Sequence, residues 1–215
     1  MGVRVAVIGA GGQGKVVYDL IRALGHAERL WFFDDRYPEL RLSGAVMTLK
    51  GTVAALFEER YRAEVESFVV AIGANRIRRQ FYERALAAGL DPLRLIHPRA
   101  TLSPLALIGP GTVLCGQAWV GPGAAVGQNC LVNTGATVDH DCRIADHVHI
   151  CPGARLAGNV RIGAATMVGT GAVVIPGIQI GSNCVIGAGT VVIGDLPANV
   201  TAVGNPARII KENRE

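Results

Sequence analysis

The chain has 215 residues, with 21 Lys+Arg against 17 Asp+Glu for a net charge of +4 at pH 7. That length supports one large domain or two small ones, and so mild a charge with no dense basic run excludes a nucleic-acid-binding surface. Half the residues are apolar and 28 are Gly, yet only 5% are aromatic, so the core is built from Val, Ile and Ala, which points to repetition.

The opening MGVRVAVIGAGG enters a strand-like run at once, too short and Gly-rich for a secretory leader. No 18-residue apolar stretch reads as a membrane span. Five cysteines without paired spacing read as reduced thiols of a cytoplasmic protein.

VRVAVIG (3–9) is a buried-strand pattern, and GAGGQGKVVYDLIRALG (9–25) is a glycine turn entering an amphipathic helix. Glycines at such a turn let the backbone approach a phosphate at a helix N-terminus, although a tight structural turn needs them too. RLWFFDD (29–35) predicts a second strand, ending in Asp34 and Asp35. An acid at that place meets a ribose or base edge, or simply faces water. VESFVVAIG (65–73) predicts a third strand and NRIRRQFYERALAAGL (75–90) a helix with apolar Ile77, Phe81, Ala85 and Leu86, whose Arg76, Arg78 and Arg79 form a solvated face or, as the alternative, help to hold a pyrophosphate. Alternating strands and helices make a small parallel Rossmann-like βαβ domain over residues 1–92. It is short for a dinucleotide, so a mononucleotide or nucleotide-sugar is the expected ligand.

From Ile96 every sixth residue is Leu, Ile or Val: 96, 102, 108 and so on to Val192, seventeen positions without a miss. Chance would produce this on the order of once in ten million. The position two before each is mostly small, as at Ala118, Ala124, Cys130, Ala136, Cys142, Ala154 and Cys184. A period of six with two inward positions is a short strand and a corner, and three such units make one triangular coil. Residues 93–215 are therefore expected to form a parallel β-helix of hexapeptide repeats, with between five and six coils and no inserted loop. Cys130, Cys142 and Cys184 are core packing, whereas Cys115 and Cys151 are expected to point outward and carry no chemistry.

The segment VDHDCRIADHVHI (138–150) holds three of the five histidines. In hexad register His140–Asp141 and Asp146–His147 fall at successive corners, and His149 faces outward from the next strand. Position 158 lies one coil beyond 140, so a backbone N–H of Gly158 near His140 would suit a tetrahedral oxyanion. His140 and His149 belong to different sides of one coil, more than ~10 Å apart, so a metal site using both on one chain is excluded.

The opening turn GAGGQG, FFDD, AIGANRIRR, IHPRA, NTGATVDHDC, GARLAGNVRIG and VGNPARI together resemble the sugar acyltransferases of the PglD and NeuD type over essentially the whole chain. The resemblance implies a left-handed coil, a homotrimer with active sites at subunit interfaces, and transfer of an acetyl group from acetyl-CoA to a nucleotide-linked amino-deoxy sugar (4-amino-4,6-dideoxy type), for bacterial surface-glycan or glycoprotein sugars. It makes His140 the general base and Asp141 the neighbour raising its basicity, although Asp stands where some members carry Glu. It places His149, Gly158, Thr170 and Ala188 along acetyl-CoA, and Gly11, Gly12, Gln13, Asp34, Asp35 and Gly51 at the nucleotide-sugar. No metal is required, and His147 receives no role, as a solvated corner residue.

Three other readings remain open from sequence. One is O-acetylation of a sugar of the sialic acid type, since the same base serves a hydroxyl. Another is a γ-type carbonic anhydrase with three histidines around zinc across an interface. The third is a non-catalytic nucleotide-sugar-binding scaffold.

Overall fold

A computed structural model describes residues 4–25, 30–38 and 47–213; Val3 and Arg29, which begin two of the expected strands, lie outside them. The chain divides into two compact units, Met1–Leu95 and Ile96–Glu215.

The first unit holds strands β1 (Val5–Ile8), β2 (Leu30–Phe33), β3 (Thr48–Gly51), β4 (Ser67–Val70) and β5 (Asp91–Pro92), with helices α1 (Gly12–Ala23), α2 (Glu59–Arg62) and α3 (Asn75–Ala87). All neighbouring strands pair in parallel, in the order β3-β2-β1-β4-β5. The order reverses between β1 and β4, which is where a crevice opens at the carboxyl ends of a doubly wound sheet. Ala6, Ile8, Phe33, Phe68, Val70, Tyr82 and Ala85 fill the core on one face. The edge strands β3 and β5 were not foreseen: TLKG and DP carry neither period-two apolar alternation nor an apolar run.

The face of α3 also differs from the expectation. Its buried residues are Arg78, Tyr82 and Ala85, while Ile77 and Leu86 are 44% and 39% exposed. Arg78 is not on a solvated face but fully buried. Its guanidinium donates to the carbonyls of Ile72 and Gly73, both at 3.2 Å, so hydrogen bonds to the loop after β4 replace its water.

In the second unit seventeen two-residue strands run from β6 (Leu95–Ile96) to β22 (Val191–Val192), and the second residue of each is the expected aliphatic. Strands pair in parallel with their counterparts in the neighbouring coils, as Val120 with Val138 and Val138 with Leu156, without an inserted helix or loop. The result is the expected left-handed parallel β-helix, which follows the small α/β domain in the chain. The chain closes with β23 (Val200–Val203) and an antiparallel β24 (Arg208–Glu212).

The prism core is the predicted stack of Val, Ile and Leu with Ala and Cys between them. Each fully buried aliphatic contributes roughly 1.5–3 kcal/mol. Cys130, Cys142 and Cys184 pack inside, Cys142 Sγ donating to the Ala157 carbonyl at 3.1 Å. Cys115 and Cys151 are buried as well, but neither belongs to the prism core. Corners are turned by left-handed residues, among them Gln117, Asn129, Asp141, His147 and Asn159, with φ between 51° and 62°.

Candidate active site

Strand β13 (Thr137–Val138) ends in a corner formed by Asp139, His140 and Asp141. Val138 is drawn into the core, so the next residues must turn outward, and the left-handed Asp141 (φ 60°) completes the turn. This geometry sets the two side chains side by side: His140 Nδ1 lies 2.9 Å from Asp141 Oδ2. Both are about half exposed. The hydrogen bond from the imidazole to the Asp141 carboxylate is the main cause that lifts the His140 pKa above the ordinary histidine value, and Asp139 adds to it. With Nδ1 so engaged, Nε2 is left as the atom able to take a proton.

Gly158 stands at the same corner one coil on, as its spacing from His140 requires. The Asn159 N–H donates to the His140 carbonyl at 2.9 Å. A Cβ built on Gly158 would overlap both Cε1 and Nε2 of the imidazole. The missing side chain is thus the space in which the imidazole lies.

His149 faces away from the core on β15 (His149–Ile150), yet is only 8% exposed. Asn133, at the end of the strand one coil earlier, covers it, with Nδ2 3.2 Å from His149 Nε2. Asn133 Oδ1 already accepts the Thr134 N–H at 2.8 Å, so its amide nitrogen is the donor to Nε2. A neutral His149 then carries its proton on Nδ1. Asn133 opens the NTG motif, and sequence assigns it no role; its place two residues past Leu131, the register partner of His149, is the available signal.

Thr170 and Ala188, in register on successive coils, stack at another corner and are both exposed; the Gly189 N–H donates to the Thr170 carbonyl. Within one chain the structure therefore gives two groups, His140–Asp141–Gly158 at one corner and Thr170–Ala188 at another, with His149 on a strand. His147 is the clear departure. It is 6% exposed, not solvated, and its Nδ1 lies 2.9 Å from Asn129 Nδ2. The corner residue of the preceding coil folds over it, which hexad register alone does not reveal. Among the described residues no group of three or more His, Cys, Asp or Glu is arranged to hold a metal.

The first unit has its own cavity of about 400 Å³, lined by Gly11, Gly12, Gln13, Asp34, Asp35, Arg36 and the loop Ala71–Gly73. These segments follow β1, β2 and β4, at the reversal of strand order. Gly9 and Gly14 are structural: Gly9 has φ 99° and a Cβ there would meet the Ala71 carbonyl oxygen at 2.8 Å, while one on Gly14 would meet the Gly9 oxygen at 2.6 Å. Gly12 has nothing within 4 Å of its Cβ position, and it opens α1, whose first N–H groups lack intrahelical acceptors.

Asp34 is 8% exposed and accepts the Ala10 N–H at 2.8 Å. Arg36 grips it with Nε to Oδ1 at 2.8 Å and Nη2 to Oδ2 at 3.0 Å. That pairing is the leading cause that holds the Asp34 pKa down at about 2. Asp35 accepts the Val53 N–H at 2.9 Å. Gly51 lies outside the cavity lining, but its carbonyl accepts the Asp34 N–H at 3.1 Å. Arg36 was missed; it follows FFDD directly and brings a cation to the mouth of the cavity. A larger, open concavity of about 800 Å³ follows the sheet face of Arg143, Arg161 and Gln179 and contains none of the candidate residues.

Residues 4–85 match the family described as PglD N-terminal domain, and residues 159–194 the bacterial transferase hexapeptide (six repeats). The acetyltransferase domain of PglB from Neisseria gonorrhoeae FA1090, solved with acetyl coenzyme A, is 45% identical, covers 97% of this chain and 100% of that one, and superposes with a TM-score of 0.90. PerB from Caulobacter crescentus, solved with CoA and GDP-perosamine, is 36% identical over 97% of each chain, with a TM-score of 0.89. The UDP-N-acetylbacillosamine N-acetyltransferase of Bacillus subtilis (strain 168) is 41% identical over 96 residues, a match spanning less than half of either chain (45% and 44%).

Proposed function

The chain belongs to the acetyl-CoA-dependent, hexapeptide-repeat sugar N-acetyltransferases of the PglD type, and from that premise we propose that it acetylates the amine of a nucleotide-linked amino-deoxy sugar with His140 as general base. The observation that carries the reading is the His140–Asp141 pair facing the space left by Gly158. An amine near pH 7 is largely protonated, and the attacking form must shed a proton that an imidazole can accept. His140 Nε2 takes that proton; Asp141 holds the ring through Nδ1 and stabilises the imidazolium.

Acetyl-CoA, when bound, supplies the activated acyl group as a thioester. The Gly158 corner suits that end of the molecule, because any side chain there would fill the space before the imidazole. His149, with its protonation set by Asn133, and Thr170 and Ala188 serve the remainder of the cofactor. Because the His140 and Thr170–Ala188 corners are separate columns of one prism, the reading pairs them across a homotrimer's subunit interfaces. Residues 1–92 hold the nucleotide-sugar and residues 93–215 carry out the transfer. Gly11, Gly12 and Gln13 offer backbone N–H groups and the positive end of α1 to a diphosphate, with Asp34 and Asp35 toward the nucleoside. Gly51 acts beneath them, by fixing the Asp34 backbone. Five free thiols and a supply of acetyl-CoA suit the cytoplasm; among the described residues no helix is long and apolar enough to cross a membrane.

The test is turnover of acetyl-CoA with a panel of UDP-, GDP- and CMP-linked amino sugars, read as thiol release and as product mass. His140→Ala should lower kcat by about 10²–10⁴ with little change in acetyl-CoA affinity. Acetylation of a hydroxyl with amino sugars left untouched would overturn the N-acetyl assignment. Stoichiometric zinc lost with His140→Ala would overturn the base.

A further inference from the structure

Trp119 is the only Phe, Trp or Tyr in residues 96–215. It stands on β10 (Trp119–Val120), where Val120 fills the core and the indole projects to the outside, half-buried. Its register neighbours are Thr101 one coil before and Thr137 one coil after, both short side chains.

The ring leans over the following corner. A Cβ on Gly121 would meet Trp119 Cη2 at 2.6 Å and the His140 backbone nitrogen at 3.0 Å. The indole edge and the His140 backbone thus border the same small space. Glycine at 121 is what allows the indole to lie there. The sole Phe, Trp or Tyr of residues 96–215 therefore abuts the corner that carries His140. Packing inside the prism cannot explain it, since the ring is outside.

We propose that Trp119 is a substrate-positioning residue: its indole takes the apolar face of the amino-deoxy pyranose and sets the amine before His140. A pyranose presents a face of C–H groups, and a 6-deoxy sugar adds a methyl at its edge. An indole offers a large rigid apolar surface for both at little entropic cost. The imidazole leans to Gly158, one coil beyond its own, while the ring comes from one coil before. The strand of the ring and the strand before Gly158 are two coil steps apart, and a pyranose with its amine can lie along the corner between them.

This inference rests on the proposed acetyl transfer, so turnover by the unsubstituted enzyme tests that reading and the effect of Trp119 variants tests this one. Trp119→Ala should raise the KM for the nucleotide-linked amino sugar about tenfold or more, the order expected for losing an aromatic stacking partner. Trp119→Phe should restore most of it. The KM for acetyl-CoA, the melting temperature and the sedimentation coefficient should stay as they are. The preference for a 6-deoxy over a 6-hydroxy sugar should shrink in Trp119→Ala. In a Trp31→Phe background the remaining emission should respond to the nucleotide-sugar and not to the nucleoside diphosphate alone. An unchanged sugar KM, an equal rise in both KM values, or a loss of assembly in Trp119→Ala and Trp119→Phe alike would overturn the proposal.

Discussion

Gly158 and His140 share one corner so closely that the imidazole occupies the side-chain space residue 158 gives up: a Cβ there would overlap Nε2. The imidazole is the end of a side chain and can swing aside, so Gly158→Ala should fold normally. The swing moves the base by about an ångström, and a misplacement of that size costs on the order of 10²-fold in rate. Steady-state kinetics beside a thermal melt would show a fall in kcat without a fall in stability.

The Asp141 carboxylate raises the His140 pKa by favouring the imidazolium. Turnover needs the neutral ring, so activity should climb as pH rises through a pKa above the ordinary histidine value. Asp141→Asn removes the charge and lowers that pKa. The acid limb of the kcat/KM profile should therefore move to lower pH, while the plateau falls because a weaker base accepts the proton less readily. A limb that stays in place would mean that Asp141 does not set the basicity of His140.

His147 is buried against Asn129 and holds a left-handed corner at φ 62°. His147→Ala takes the imidazole away from the buried Asn129 amide and should destabilise the fold by about 1–3 kcal/mol, a drop of several degrees in Tm. His147→Asn should cost less, because Asn tolerates that φ and can still meet Asn129; the same corner carries Asn129 and Asn183 in other coils. Specific activity of the folded fraction should be unchanged in both. Loss of activity without loss of stability would give His147 a chemical role in place of a structural one.

Two glycines of the opening turn should respond in opposite ways. Gly9→Ala meets the Ala71 carbonyl and an unfavourable φ of 99°, so it should impair folding. Gly12→Val places its side chain in open space at the cavity, so the protein should fold yet lose nucleotide-sugar binding, with acetyl-CoA binding intact. Calorimetric titration of both ligands separates the cases; equal loss of both affinities in Gly12→Val would assign that glycine to folding.

The β-helix was legible because its core demands one aliphatic every six residues, and Ile96 to Val192 meet that demand without a gap. The same register told which side chains leave the core, but not what covers them. His147 leaves the core and is buried all the same, because Asn129 of the preceding coil covers it and a hexad pattern does not show such a contact. By its charge Arg78 reads as solvated, whereas two loop carbonyls hold it inside the first unit. The strand Thr48–Gly51 was missed because an edge strand need not bury both of its faces, and TLKG shows no alternation. Arg36 shows the other limit, since the FFDD motif draws attention to acids whose partner is the next residue along.

The pairing of each residue with its counterpart one coil on makes the second unit modular in length. Removing a single residue would turn every later core aliphatic to the wrong face. Removing one whole coil, for example residues 97–114, would join strands already in phase and leave the columns through His140 and Gly158 in alignment. Stability in such a stack is a sum of rungs and the interfaces between them, so the prism can be lengthened or shortened only in steps of one turn. The distance along the prism from the His140 corner to the C-terminal hairpin is thereby quantised, which limits how the molecule can be resized to a cofactor of fixed reach.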